Sequence, residues 1–120
     1  MYFRIWCKES KKMHYNDSDY FKKLTVKPLD YCFMSCLHQE INIYENDIIA
    51  YPCMSNHDRT IVSVIEIHYG CVWLKNDNFD RLLSNEFSYH DSSDVDVIGN
   101  IFESDVKKII PWYEYRSEIN

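Results

Sequence analysis

The sequence predicts a small, mostly β domain, and three observations carry that prediction. Alanine, the best helix former, occurs once, at Ala50, and glycine occurs only at Gly70 and Gly99. Aromatic residues make up 16% of the chain, and isoleucine and valine are plentiful beside them. These are the side chains that suit a half-buried pleated surface. Finally, short apolar runs alternate with polar turns along most of the 120 residues, a length that fits one domain with a sizeable core.

The first strand is read at residues 2–6, Tyr-Phe-Arg-Ile-Trp, and the second at residues 11–15. The short polar stretch Cys7-Lys8-Glu9-Ser10 between them suits a hairpin loop. Residues 16–30 are mixed. Lys27 precedes Pro28 and is pushed towards extended backbone, so no helix runs through that point. Residues 31–43 read equally as a short helix or a buried strand through Tyr31, Phe33, Met34 and Leu37.

Glu45-Asn46-Asp47 carries turn chemistry, with Asn46 expected at positive φ. A strand begins at Ile48 and stops at Pro52. Residues 60–68, Thr-Ile-Val-Ser-Val-Ile-Glu-Ile-His, form the clearest strand and are apolar on both faces as far as Ile65, as a strand covered on two sides requires. Tyr69-Gly70 turns tightly into a strand at Cys71–Leu74. Residues 75–94 are polar, with Phe79, Leu82 and Leu83 spaced for one helical turn. A last strand spans residues 95–102, where Gly99-Asn100 signals a bulge or a close backbone approach. Ser104 is placed to cap a short helix through Val106, Ile109 and Ile110 that ends at Pro111.

Three blocks resemble the YopX family. Phe3-Arg4-Ile5-Trp6, followed by Lys8-Glu9 and Lys11-Lys12-Met13, is similar to that family's opening. Ile43-Tyr44-Glu45-Asn46-Asp47-Ile48-Ile49 is similar to its central turn, with Asn46 where the family has glycine. Val97-Ile98-Gly99-Asn100-Ile101-Phe102-Glu103 is similar to its C-terminal signature. The blocks come in family order and bracket nearly the whole chain. The departures at Cys7 (for an acidic residue) and at Ser104-Asp105 (for asparagine-proline) leave the expected fold intact. The resemblance implies a bacteriophage or prophage origin and a mostly β domain, and it implies no reaction.

Charge divides the chain. Residues 1–28 carry seven basic against three acidic side chains, and the other 92 residues carry six against sixteen. The net charge of -6 disfavours binding of nucleic acid over the whole surface. The basic segment is read first as a solvated hairpin face. As an alternative, Lys8, Lys11, Lys12, Lys22 and Lys23, with Phe3, Trp6, Tyr15 and Tyr20 among them, could stack on and neutralise a single strand.

Cys32-x3-Cys36 and Cys53-x3-His57 have zinc-like spacing, with His38 nearby. Buried cysteines in a reducing cytosol are the preferred reading, so no metal and no cofactor is expected. Five cysteines, an odd number, argue against a disulfide framework. Cys71 and His68 flank a tight turn, but nothing beside them is expected to lower a thiol pKa. The expectation is therefore not an enzyme. Asp91, Asp94 and Asp96 form an acidic loop, and Trp112, Tyr113 and Tyr115 an aromatic tail. These two groups are the candidate binding residues.

The expected architecture follows. Residues 1–42 make an N-terminal hairpin or arm packed on a small SH3-like, partly closed barrel at 43–103. Residues 104–120 make a short C-terminal helix and tail. No secretion signal or membrane span is read, so the cytoplasm of a bacterial host is the expected location. The leading function is a phage-encoded, non-catalytic protein-binding module that modulates or inhibits a host enzyme or defence complex. A nucleic-acid-binding module using the basic N-terminal region is the alternative. The expected partner is a host or phage protein, and self-association stays open.

Overall fold

The computed structural model describes residues 2–38, 42–52, 60–76, 80–84 and 94–104. Among these residues the chain is mostly β, with an α-helix at Ser18–Val26 and helical backbone at 83–84. It divides into two compact units, residues 1–45 and 46–120.

The N-terminal unit opens with the expected hairpin, β1 (Phe3–Cys7) against β2 (Lys12–Tyr15). Lys11 takes φ 54° and donates its N–H to the Cys7 carbonyl at 2.9 Å, which closes the loop. Asn16 (φ 53°) finishes the open end. Its Oδ1 accepts the Phe3 N–H, and its own N–H donates to the Phe3 carbonyl, both at 2.9 Å. The ambiguous segment is a strand, β3 (Tyr31–His38), which pairs with the other edge of β1. A two-residue strand β4 (Ile43–Tyr44) extends the sheet, giving the order β2-β1-β3-β4. The hairpin is thus the start of a four-stranded sheet.

Between β2 and β3 lies a helix that the mixed pattern of residues 16–30 had hidden, α1 (Ser18–Val26). Asp17 caps it by accepting the Asp19 N–H at 3.0 Å. It stops at Lys27, and Pro28 opens a 3-10 turn to Asp30. No α1 side chain is fully buried. The helix seats through aromatic contacts: Phe21 meets Phe3 and Phe33 at ring distances of 5.8 and 5.7 Å. Beneath it Ile5 is inaccessible to solvent, and the unit's core also holds Met34 and Ile43. Each such side chain contributes about 1.5–3 kcal/mol by leaving water.

The C-terminal unit is a five-stranded antiparallel sheet. Its strands are β5 (Asp47–Pro52), β6 (Thr60–His68), β7 (Cys71–Lys75), β8 (Asp80–Leu82) and β9 (Asp96–Asn100). The order is β8-β7-β6-β5-β9, a four-strand meander whose last strand returns to the first. That is the strand order of an SH3-like barrel. Ile61 to Ile65 are buried on both faces of β6, as the sequence requires. Ile48, Ala50, Val62 and Val64 form one core cluster across the β5–β6 register. On the other face the Tyr51 hydroxyl lies 3.3 Å from Ser63 Oγ, which satisfies a polar pair inside the core.

Three local expectations change or sharpen. Leu82 lies on β8, where it pairs with Trp73 on β7, whereas Leu83 and Ser84 are helical, so the expected turn keeps Leu83 and loses Leu82. The last strand ends at Asn100, where a turn takes over. Asn100 Oδ1 accepts the Phe102 and Glu103 N–H groups at 3.0 and 2.9 Å. Ser104 turns its hydroxyl back to accept the Asn100 N–H at 3.2 Å. The helix expected after it lies outside the described residues, as does Phe79.

Candidate functional site

Two surfaces collect the chemistry-bearing residues, one in each unit. In the C-terminal unit, β9 pairs with β5 with a register shift: Ile48 faces Gly99 and Ile49 faces Val97. The extra residue, Ile98, makes a bulge just before the Gly99-Asn100 pair where a bulge or close approach was expected. It breaks the alternation that would bury one of two neighbours. Val97 and Ile98 are therefore 44% and 41% exposed, and Ile101 in the following turn is 39% exposed. Asp94, Asp96 and Glu103 stand exposed along the same segment. Among the described residues β9 has no second strand partner, so it forms an edge. The sequence reading had found Asp94 and Asp96 but had missed the apolar residues between the acids. A strand at Val97–Ile98 was read there, and only the bulge and edge position leave both exposed. Asp91, Trp112, Tyr113 and Tyr115 lie outside the described residues.

In the N-terminal unit, Lys22, Lys23, Val26 and Lys27 of α1 and its C-cap, with Tyr31 at the start of β3, line an open cleft of about 400 Å³. Tyr20 forms its aromatic backing. The ring stacks on His14 at 3.6 Å, the Lys23 ammonium lies 4.3 Å from its centroid, and it meets Tyr31 in a T-shaped contact at 6.1 Å. Lys27 and Tyr31 had no place among the sequence candidates, because the helix that brings them together was not legible. The other candidate lysines separate. Lys8 donates its ammonium to the Leu29 carbonyl at 2.8 Å, and Lys11 sits in the hairpin loop. Lys12 shares a row of the sheet with Cys7 and Tyr31.

Strand geometry bears on the zinc-like spacing. Cys32 and Cys36 share β3, and four residues of strand span about 13 Å, too far for two ligands of one zinc. Cys36 Sγ instead meets Asn42 Oδ1 at 3.7 Å. Burial, with the Glu45 carboxylate as a lesser cause, raises the Cys32 thiol pKa above its ordinary value. Cys53 and His57 lie outside the described residues, and nothing is described of the His38 side chain. No group of three metal-ligating side chains occurs among the described residues.

His68 and Cys71 are cross-strand partners at the Tyr69-Gly70 turn, whose φ values are 53° and 74°. His68 Nε2 lies 2.7 Å from Glu66 Oε1. No hydrogen bond joins the Cys71 thiol to this imidazole among the described residues. The Cys7 thiol is held below its ordinary pKa by the Ser10 hydroxyl first, then by the Ser10 and Glu9 N–H groups. It is buried and turned into its own hairpin loop.

The three blocks of the family-like pattern occupy connected positions within each unit. Arg4 is buried, donates to the Glu45 carbonyl at 3.1 Å and lies 4.6 Å over the Tyr44 ring. In the other unit, the Asn46 carbonyl accepts the Ile101 N–H at 3.0 Å, and Asp47 pairs with Asn100. Comparison of the chain with protein-family models, curated proteins and solved structures gives no match in any of the three. No helix among the described residues is long and apolar enough to cross a membrane.

Proposed function

We propose that this protein is a non-catalytic, YopX-like phage or prophage module that docks on a protein of its bacterial host, in the host cytoplasm, through the β9 edge. The observation that carries the reading is the strip Val97, Ile98 and Ile101 with Asp94, Asp96 and Glu103 around it. Contiguous exposed apolar residues inside a polar rim are the pattern of a protein-binding patch. The acids choose the partner. Residues 46–120 carry six basic against thirteen acidic side chains, so a basic groove on a host enzyme or defence complex is the complementary surface. Carboxylates at the rim steer the encounter, and the apolar strip holds the complex once formed.

The test is a comparison of partner capture and kinetics. Ile98→Ser should shorten the lifetime of the complex. Asp94→Asn with Asp96→Asn should slow association, and the difference from the wild type should vanish at high salt. Unchanged rates in both variants, with the partner still captured, would remove β9 as the docking edge.

A further inference from the structure

We infer that the cleft between α1 and the start of β3 is a second binding site, for a nucleotide presented by a single-stranded nucleic acid. It lies in the other unit from the β9 strip and stands independently of the reading given to that strip.

Two kinds of group converge there. Lys22, Lys23 and Lys27 line a space of about 400 Å³, and the Lys23 ammonium lies over the Tyr20 ring beside it. None of the three makes an ion pair within 4.0 Å among the described residues. The wall is apolar and aromatic: Val26 is 77% exposed, and half-buried Tyr31 meets Tyr20 in a T-shaped contact with ring centroids 6.1 Å apart. Tyr20 itself is already covered by His14 and approached by Lys23, so Tyr31 is the ring that remains for stacking.

A phosphate ester carrying a base uses both features, the phosphate on the lysines and the base on the ring. An acidic peptide would use only the charges and leave the aromatic wall in water. The site also has a continuation. Lys12 and Tyr31 both pair with Cys7, so they sit on one sheet face two strands apart, about 10 Å. A strand leaving the cleft along that row meets Lys12 with its next phosphates, whereas a free nucleotide cannot reach it. The net charge of -6 keeps the affinity modest, and the salt dependence follows the few lysines that meet phosphates.

The experiment is fluorescence anisotropy of a labelled oligothymidylate of roughly ten nucleotides with the full chain at about 50–200 mM salt. The wild type should bind. Lys22→Ala, Lys23→Ala and Lys27→Ala together should weaken binding by roughly tenfold or more and flatten the salt slope by about two to three. Tyr31→Leu should weaken binding with the salt slope unchanged, and Tyr31→Phe should restore it, which separates stacking from charge and from misfolding. Lys12→Ala should weaken the oligonucleotide and leave thymidine monophosphate unaffected. Absence of oligonucleotide binding at the lowest salt would overturn the site. So would poly-glutamate competing as well as oligothymidylate. Thymidine monophosphate competing as well as the strand, nucleotide for nucleotide, would overturn the strand and leave a free nucleotide as the occupant.

Discussion

The hydroxyl of Ser104 occupies the space that a side chain on Gly99 would need. The same hydroxyl accepts the Asn100 N–H, so it cannot rotate away without losing that bond. The prediction is that Gly99→Ala destabilises the fold by about 1–3 kcal/mol in urea unfolding. Ser104→Gly in the same chain should recover part of that loss. If the two changes simply add, the contact is not the reason for the glycine.

Asn46 takes φ 72°, as its place between Glu45 and Asp47 predicts. Glycine adopts that conformation without steric cost. Asn46→Gly should therefore change stability by less than about 1 kcal/mol, while Asn46→Val should cost more than that. A large loss in the glycine variant would show that the asparagine side chain, rather than its backbone, holds the turn.

His14 Nε2 is buried without a hydrogen-bond partner among the described residues, although its ring stacks on Tyr20. His14→Phe keeps the stack and removes the unsatisfied nitrogen. Its expected effect is neutral to stabilising, by up to about 1 kcal/mol, whereas His14→Ala loses the stack and destabilises. Thermal melts of the two variants separate these cases.

Cys32 titrates above its ordinary value because burial disfavours its thiolate. The fold thus favours the neutral thiol. Its contribution is complete below the unfolded pKa, about 8.5, and fades as pH rises through the folded value. At about pH 8, peptide-resolved alkylation should label exposed Cys71 well before Cys32. As pH rises from about 8.5 through the folded value, stability should fall less steeply in Cys32→Ser. Equal labelling of the two cysteines would contradict the burial argument.

The parts of the fold that were legible are those where one signal dominates. Two-sided apolarity from Ile61 to Ile65 fixed β6, and the Asn46 and Tyr69-Gly70 turns set its neighbours. Gly99 carried a packing constraint visible as a misplaced glycine in a strand. The helix α1 was hidden because its nine residues mix Tyr20, Phe21, Thr25 and Val26 with lysines, and it seats on other aromatic rings instead of burying a stripe. Its Asp17 cap was the one readable sign. The candidate sites suffered from the same gap. Lys22 and Lys23 were visible as charges, but Lys27 and Tyr31 joined them only through the helix. The apolar half of the β9 strip was hidden by its normal strand appearance, since exposure at an edge depends on which strand returns to which.

The central claim is that β9 is the docking edge, and site-specific photocrosslinking tests it most directly. A photoreactive residue at position 98 should give one dominant crosslinked host protein in bacterial lysate. A reporter at position 11, in the N-terminal hairpin loop, should not give that product. The crosslink should weaken with salt and in the Asp94→Asn, Asp96→Asn chain. Equal crosslinking from positions 98 and 11, or a position-98 product indifferent to both salt and the aspartates, would contradict the account.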